Sequence, residues 1–209
     1  MSGKTEIENV GIANSYWGVC GFTSTFQSLY EINRGKKALI NGAGIPTKVL
    51  AEIKTYLMTL KAQGKLGLLQ EIETFTRAFP PTQNGTDFSN FRINDYINYI
   101  NLAHDKSDQE IMDDENYSIG MPPRAVVDYL DRMWGVKATL SLFETGGDGI
   151  IGVKRDGRPM YGGLCHYMCR SNGKIYSWGK TFNSVKQANK NYTVICVIEF
   201  NAVAAQPKL

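Results

Sequence analysis

The chain has 209 residues, 43% hydrophobic and 21% charged, enough to bury a sizeable core in a single domain over 1–209. Lys and Arg number 23 against 20 Asp and Glu, a net charge of +3, and no dense basic run interleaved with aromatics suggests a nucleic-acid surface. No segment approaches the roughly 18 apolar residues of a membrane span, and the polar start MSGKTEIENV lacks a signal-peptide core, so the expectation is a protein made in the cytoplasm with no membrane partner.

In chain order, the first informative stretch is NSYWGVCGFTSTF, residues 14–26. From it onward Phe22, Phe26 and Leu29 recur at helical spacing and Gly35 closes the segment, so Cys20 falls at or just before the first turn of a helix. IPTKVLAEIKTYLMTLKAQGK follows, with Pro46 near its start and Val49, Leu50, Ile53, Leu57 and Leu60 on one face, an amphipathic helix. Leu68, Leu69, Ile72, Phe75 and Phe79 extend the pattern until Pro80 and Pro81 end it. Phe88, Phe91, Tyr96, Ile97 and Ile100 favour another helix despite the surrounding asparagines.

The pattern changes at SIGMPPRAVVDYLDRMWGVKATLSLF. A helix started by proline carries Val126, Val127, Leu130 and Trp134, stops at Gly135 and gives way to a strand-like run ending at Phe143. Beyond it, strands are expected around 149–154, 160–170 and 174–178, with Asp156-Gly157 and Asn172-Gly173 as hairpin turns, and YTVICVIEF forms a last strand. Helices first (about 14–135) and an antiparallel sheet after (about 136–202) define an α+β fold.

Four cysteines, at 20, 165, 169 and 196, are too irregularly spaced for a disulfide framework and read as free thiols. Cys165, His166 and Cys169 do not read as a zinc site, because an extended strand puts the two thiols about 13 Å apart and turns His166 to the other face. Neither a metal nor another cofactor is expected.

Cys20 admits two readings. A small buried hydrophobe is the plain one. The other is a nucleophile, since a helix N-terminus favours negative charge and can lower a thiol's pKa well below the free value of about 8.5. A thiol nucleophile needs a base, and there are only two histidines. His104 sits in a polar helix end where a solvated imidazole is ordinary, whereas His166 lies in the strand-like GGLCHYMCR and must satisfy its ring nitrogens with Cys20 or with a core hydroxyl or carbonyl.

Taken together, a helix-start cysteine and a strand-borne histidine resemble the papain-like cysteine peptidase superfamily. Asn14 stands where an amide side chain six residues before the nucleophile helps bind the oxyanion. Gly18 is the small residue two before the thiol. HYMCRSNGKIYSWG resembles the family's histidine strand, turn and following strand, and its SWG is similar to the papain motif whose tryptophan shields the histidine's partner. MPPRAVVDYLDRMWGVKATL resembles the passage before the histidine in peptidases that remove double-glycine leaders and in related bacterial effectors.

The resemblance implies a nucleophile helix packed on an antiparallel sheet, attack by Cys20, protonation of the leaving amine by His166, and oxyanion binding by Asn14 and the Cys20 amide. It also implies a protein substrate and, for a bacterial effector or toxin delivered without a signal peptide, a cognate immunity or inhibitor protein. One departure stands out: no Asp or Glu lies between His166 and Glu199 to orient the imidazole. Ser177 and Asn183 are the candidates, beside a bare Cys-His dyad or a carboxylate from elsewhere such as Asp148 or Asp156. The same pair of groups also suits a glutamine deamidase or transglutaminase, and an inert Cys20 would suit a binding module.

Overall fold

The structure, a computed structural model, describes residues 18–32, 44–82, 84–155 and 161–201. Asn14, the stop at Gly35 and the Asp156-Gly157 turn lie outside these residues. Seven α-helices are present among them: α1 (Cys20–Glu31), α2 (Ile45–Ala62), α3 (Leu66–Arg77), α4 (Ile93–Asn101), α5 (Asp108–Asp113), α6 (Pro123–Trp134) and α7 (Val185–Ala188). Six strands follow or interleave with the last two: β1 (Ala138–Ser141), β2 (Gly149–Lys154), β3 (Leu164–Ser171), β4 (Lys174–Ser177), β5 (Lys180–Phe182) and β6 (Thr193–Phe200). Among the described residues no helix is long and apolar enough to cross a membrane.

The strands form one antiparallel sheet in the order β1-β6-β2-β3-β4-β5; α1 and α6 pack on one of its faces and the short α7 on the other, so the α+β architecture expected from the sequence is observed. Alternation along the strands divides the side chains between the faces. Ile150, Tyr167, Cys196 and Ile198 join the main core with the helices. Ile151, Val153, Met168, Ile175 and Val197 form a smaller cluster on the opposite face.

The first helix explains why its sequence is so poor in charge. Every residue of α1 from Gly21 to Leu29 is buried, because the helix runs between the sheet, where it meets β3, β2 and β4, and α6. Its two buried threonines Thr23 and Thr25 bond back to the helix itself: Thr25 Oγ1 donates to Gly21 O at 2.7 Å and Thr23 Oγ1 to Val19 O at 3.4 Å. Phe22 packs edge-on against Tyr129 of α6, with ring centroids 4.9 Å apart, and full burial of such a side chain is worth roughly 1.5–3 kcal/mol. These contacts hold the start of α1, and with it Cys20, in a fixed place.

Two tight hairpins shape the sheet's other end. Asn172 (φ 50°) and Gly173 (φ 71°) connect β3 to β4, as their sequence predicts. The next reversal was not anticipated: β4 turns into β5 through Trp178 (φ 49°) and Gly179 (φ 68°). An aromatic residue rarely occupies this left-handed region.

Candidate active site

Cys20 is the first residue of α1. No side chain caps the helix, and the amides of Phe22 and Thr23 turn back to Val19 O. The amides of Cys20 and Gly21, together with Tyr167 N–H from β3, instead reach the Cys20 thiol. The sulfur therefore rests against the backbone immediately after His166. Two glycines let residues 118–121 pack closely against the start of this helix. A Cβ on Gly21 would stand 2.6 Å from Met121 Cβ, and one on Gly18 would stand 3.1 Å from Ser118 Cβ.

The segment facing them is held from several sides. Gly18 N–H donates to Ser118 Oγ at 2.9 Å, and Gly18 O accepts from Ile119 N at 3.1 Å. Gly120 N–H donates to Thr76 Oγ1 at 3.0 Å, and Tyr167 Oη donates to Met121 O at 2.9 Å. Residues 118–121 thus form a strap between the helical half and the sheet, lying directly beside the helix start.

His166 is 7% exposed. Its Nε2 lies 2.8 Å from Ser177 Oγ, and its ring stacks on Trp178 with centroids 4.5 Å apart and planes 6° apart. Tyr192 lies beyond it at 6.2 Å. The β2–β3 register shifts between Val153 and Lys154, whose partners are His166 and Leu164. Cys165 is left out of step, and its thiol turns to Val153 O at 3.4 Å. Such irregularities re-aim side chains at the end of a sheet.

Cys20 and His166 both open on a cleft of about 510 Å³ between the helices and the sheet. Its sheet wall is β3 with Trp178 and Tyr192; its helical wall is the end of α3, Pro80, Pro81, Thr82 and Asn84, and the strap. Ser177 is brought to His166, and Asn183 is not. Asn183 follows β5, where Phe182 pairs with Ile175 at the far end of β4 from Ser177, and its Oδ1 accepts from Lys174 Nζ at 2.6 Å. The reversal at Trp178-Gly179 carried it one strand further from β3. Asp148 is likewise remote, accepting Asn172 N–H at 2.8 Å beside the β3–β4 turn. His104 is exposed at a helix end, where Nδ1 lies 2.9 Å from Asn101 O.

The electrostatics correct the expectation of an acidic thiol. Cys20 is pushed up to about 11, chiefly by burial, against the smaller opposing pull of the three amides, and nearby Cys165 adds to the rise. Burial pushes His166 down to about 3. The helix-start argument was local, whereas the loss of hydration between α1 and the sheet is a tertiary effect and the larger one. At neutral pH the two groups rest as thiol and neutral imidazole. In the tautomer that donates Nε2–H to Ser177 Oγ, Nδ1 carries the lone pair that a base requires.

All four cysteines are free thiols. Among the described residues no group of three or more His, Cys, Asp and Glu side chains is arranged to hold a metal ion. Three cleft features escaped the sequence reading: the Tyr167 amide, the 118–121 strap and Glu115 on the helical wall. The glycine in SIGMPP was the available signal for the strap. Comparison with protein-family models, with curated protein sequences and with solved structures finds no match.

Proposed function

We propose that this chain is a thiol hydrolase of the papain-like kind that cleaves peptide bonds of protein substrates, with Cys20 as nucleophile, His166 as acid and base, and Ser177 as the residue that orients the imidazole. The observation that carries the reading is the opening of the helix-start thiol and the Ser177-bound imidazole on one cleft. In this reading the Cys20 sulfur bonds to the substrate carbonyl carbon while its proton passes to His166 Nδ1. The carbonyl oxygen becomes an oxyanion received by first-turn amides of α1, and each donor of this kind commonly lowers the barrier by about 2.7–4 kcal/mol. Collapse re-forms the carbonyl and breaks the C–N bond, and the proton on His166 passes to the leaving amine. Water, deprotonated by His166, then releases the acid from the thioester and restores the thiol. Asn14 is a further oxyanion donor in this proposal.

Starting from neutral groups suits concerted proton transfer and attack better than a standing ion pair, because the site disfavours both charges until substrate arrives. The test is incubation of the purified chain with a mixture of denatured proteins, followed by mass spectrometry. New termini that vanish in Cys20→Ala and in His166→Ala support the reading. Altered glutamine masses without new termini would replace it with deamidation or transglutamination. No change of either kind would remove the enzymatic reading.

A further inference from the structure

The cleft does not stop at Cys20. Its helical side is floored by Phe75, Phe79 and Phe88, and Glu115 is the only formally charged side chain among the described residues that line it. Both carboxylate oxygens are fixed by neutral groups: Oε2 accepts from Thr82 Oγ1, and Oε1 accepts from Asn84 Nδ2 at 3.2 Å. These bonds hold the carboxylate without neutralising it, and a carboxylate with about four acceptor sites keeps capacity for another donor.

The surroundings reinforce that sign. Glu115 also lines a second recess with Glu110, Asp113 and Asp114, where among the described residues Lys106 is the one cation and is already bound to Asp114 at 2.9 Å. A ligand side chain in this part of the cleft is therefore offered both aromatic surface and negative charge, which suits an apolar stem carrying a cation. Arginine and lysine have this construction, an apolar stem beneath a cationic head, and aromatic faces also attract the cation.

We infer that the helical side of the cleft selects a basic side chain of a polypeptide substrate, with Glu115 pairing with its charge. This rests on the peptide-hydrolase reading for its consequence in turnover, but the binding itself does not depend on Cys20 reacting.

The experiment separates the two. Fluorescent peptide sets, identical except for arginine, lysine, norleucine or glutamate at each position in turn, are titrated against the full-length Cys20→Ala chain by polarisation. At one position the arginine or lysine peptide should bind at least about tenfold tighter than norleucine, as expected for a charge pair in a partly desolvated site. Glu115→Gln in the same background should bring that ratio close to one, and Glu115→Arg should transfer the preference to glutamate. No basic preference, no binding by any peptide, or a preference that survives both substitutions would overturn the inference. Turnover of the same peptides by the unsubstituted chain is measured separately: absence of cleavage with the binding preference intact defeats the hydrolase reading and leaves the basic subsite standing.

Discussion

The imidazole of His166 lies flat on the indole of Trp178, with the ring planes 6° apart, and the residue that supplies this surface holds a left-handed backbone, φ 49°. The two facts are linked: the turn that reverses β4 also delivers the indole to the histidine. Since such a conformation costs an L-residue roughly 1–2 kcal/mol, Trp178→Gly should be more stable than Trp178→Ala by about 1 kcal/mol, although both lose the stack. Denaturation midpoints of the two variants compare the backbone term directly.

Ser177 and Asn183 should separate cleanly. Ser177→Ala removes the partner of His166 Nε2 and leaves a buried ring nitrogen unsatisfied, at a cost of about 1–3 kcal/mol. Turnover should fall with it, because the imidazole is no longer held in the tautomer that presents a basic Nδ1. Asn183→Ala loses an exposed contact with Lys174 and should stay within about 0.5 kcal/mol of the parent. Parallel measurement of stability and of single-turnover rate decides the assignment. Equal behaviour of the two variants would count against it.

Alkylation of Cys20 should be slow at neutral pH and accelerate with rising pH towards about 11, because the thiolate is the reactive form. Residue-resolved mass spectrometry after timed iodoacetamide exposure gives the profile. A plateau reached below pH 7 would reveal a thiolate already formed at rest and would reverse the account of burial given above.

Acid should act through His166. Its folded pKa of about 3 lies below the ordinary value of 6.5, so between these limits the unfolded chain binds the extra proton. Stability is then complete above about pH 6.5 and falls as pH drops towards 3. Replacing His166 with Gln should flatten this part of the stability–pH curve by up to one proton's worth of slope, which urea titrations from pH 4 to 7, within that window, can resolve.

Gly21→Ala should cost about 1–3 kcal/mol, as overpacking does, since the added methyl would meet Met121 Cβ at 2.6 Å. The strap must then shift away from the start of α1, and turnover should fall more than an unrelated core substitution of equal destabilisation. Gly67→Ala is a suitable mild control, with open space around its position.

Much of this was legible in local pattern. The spacing of Phe22, Phe26 and Leu29 located the start of α1, Pro46 and Pro123 marked the first turns of α2 and α6, and Asn172-Gly173 announced its hairpin. The choice between Ser177 and Asn183 was not legible, because it turns on a reversal at Trp178 that local preference argues against. The state of Cys20 was not legible either. Helix position is written in neighbouring residues, whereas the burial that outweighs it depends on tertiary packing against segments as distant as β3, nearly 150 positions further along. Glu115 lay in an unremarkable acidic stretch until folding brought it to the same cleft as Phe75, Phe79 and Phe88.

The placement of β6 bears on how the molecule is assembled. Strands β2 to β5 are joined to their neighbours in chain order, but β6 lies between β1 and β2 and pairs with both. Until residues 193–200 have been synthesised, those two strands face an empty slot with unpaired backbone edges, and filling it requires contacts as distant in sequence as Ala138 with Phe200. Such non-local closure is slow relative to hairpin formation. The β2–β5 meander can thus gather His166, Ser177 and Trp178 early, while the gap beside β2 exposes a nascent chain to strand exchange with its neighbours on a polysome.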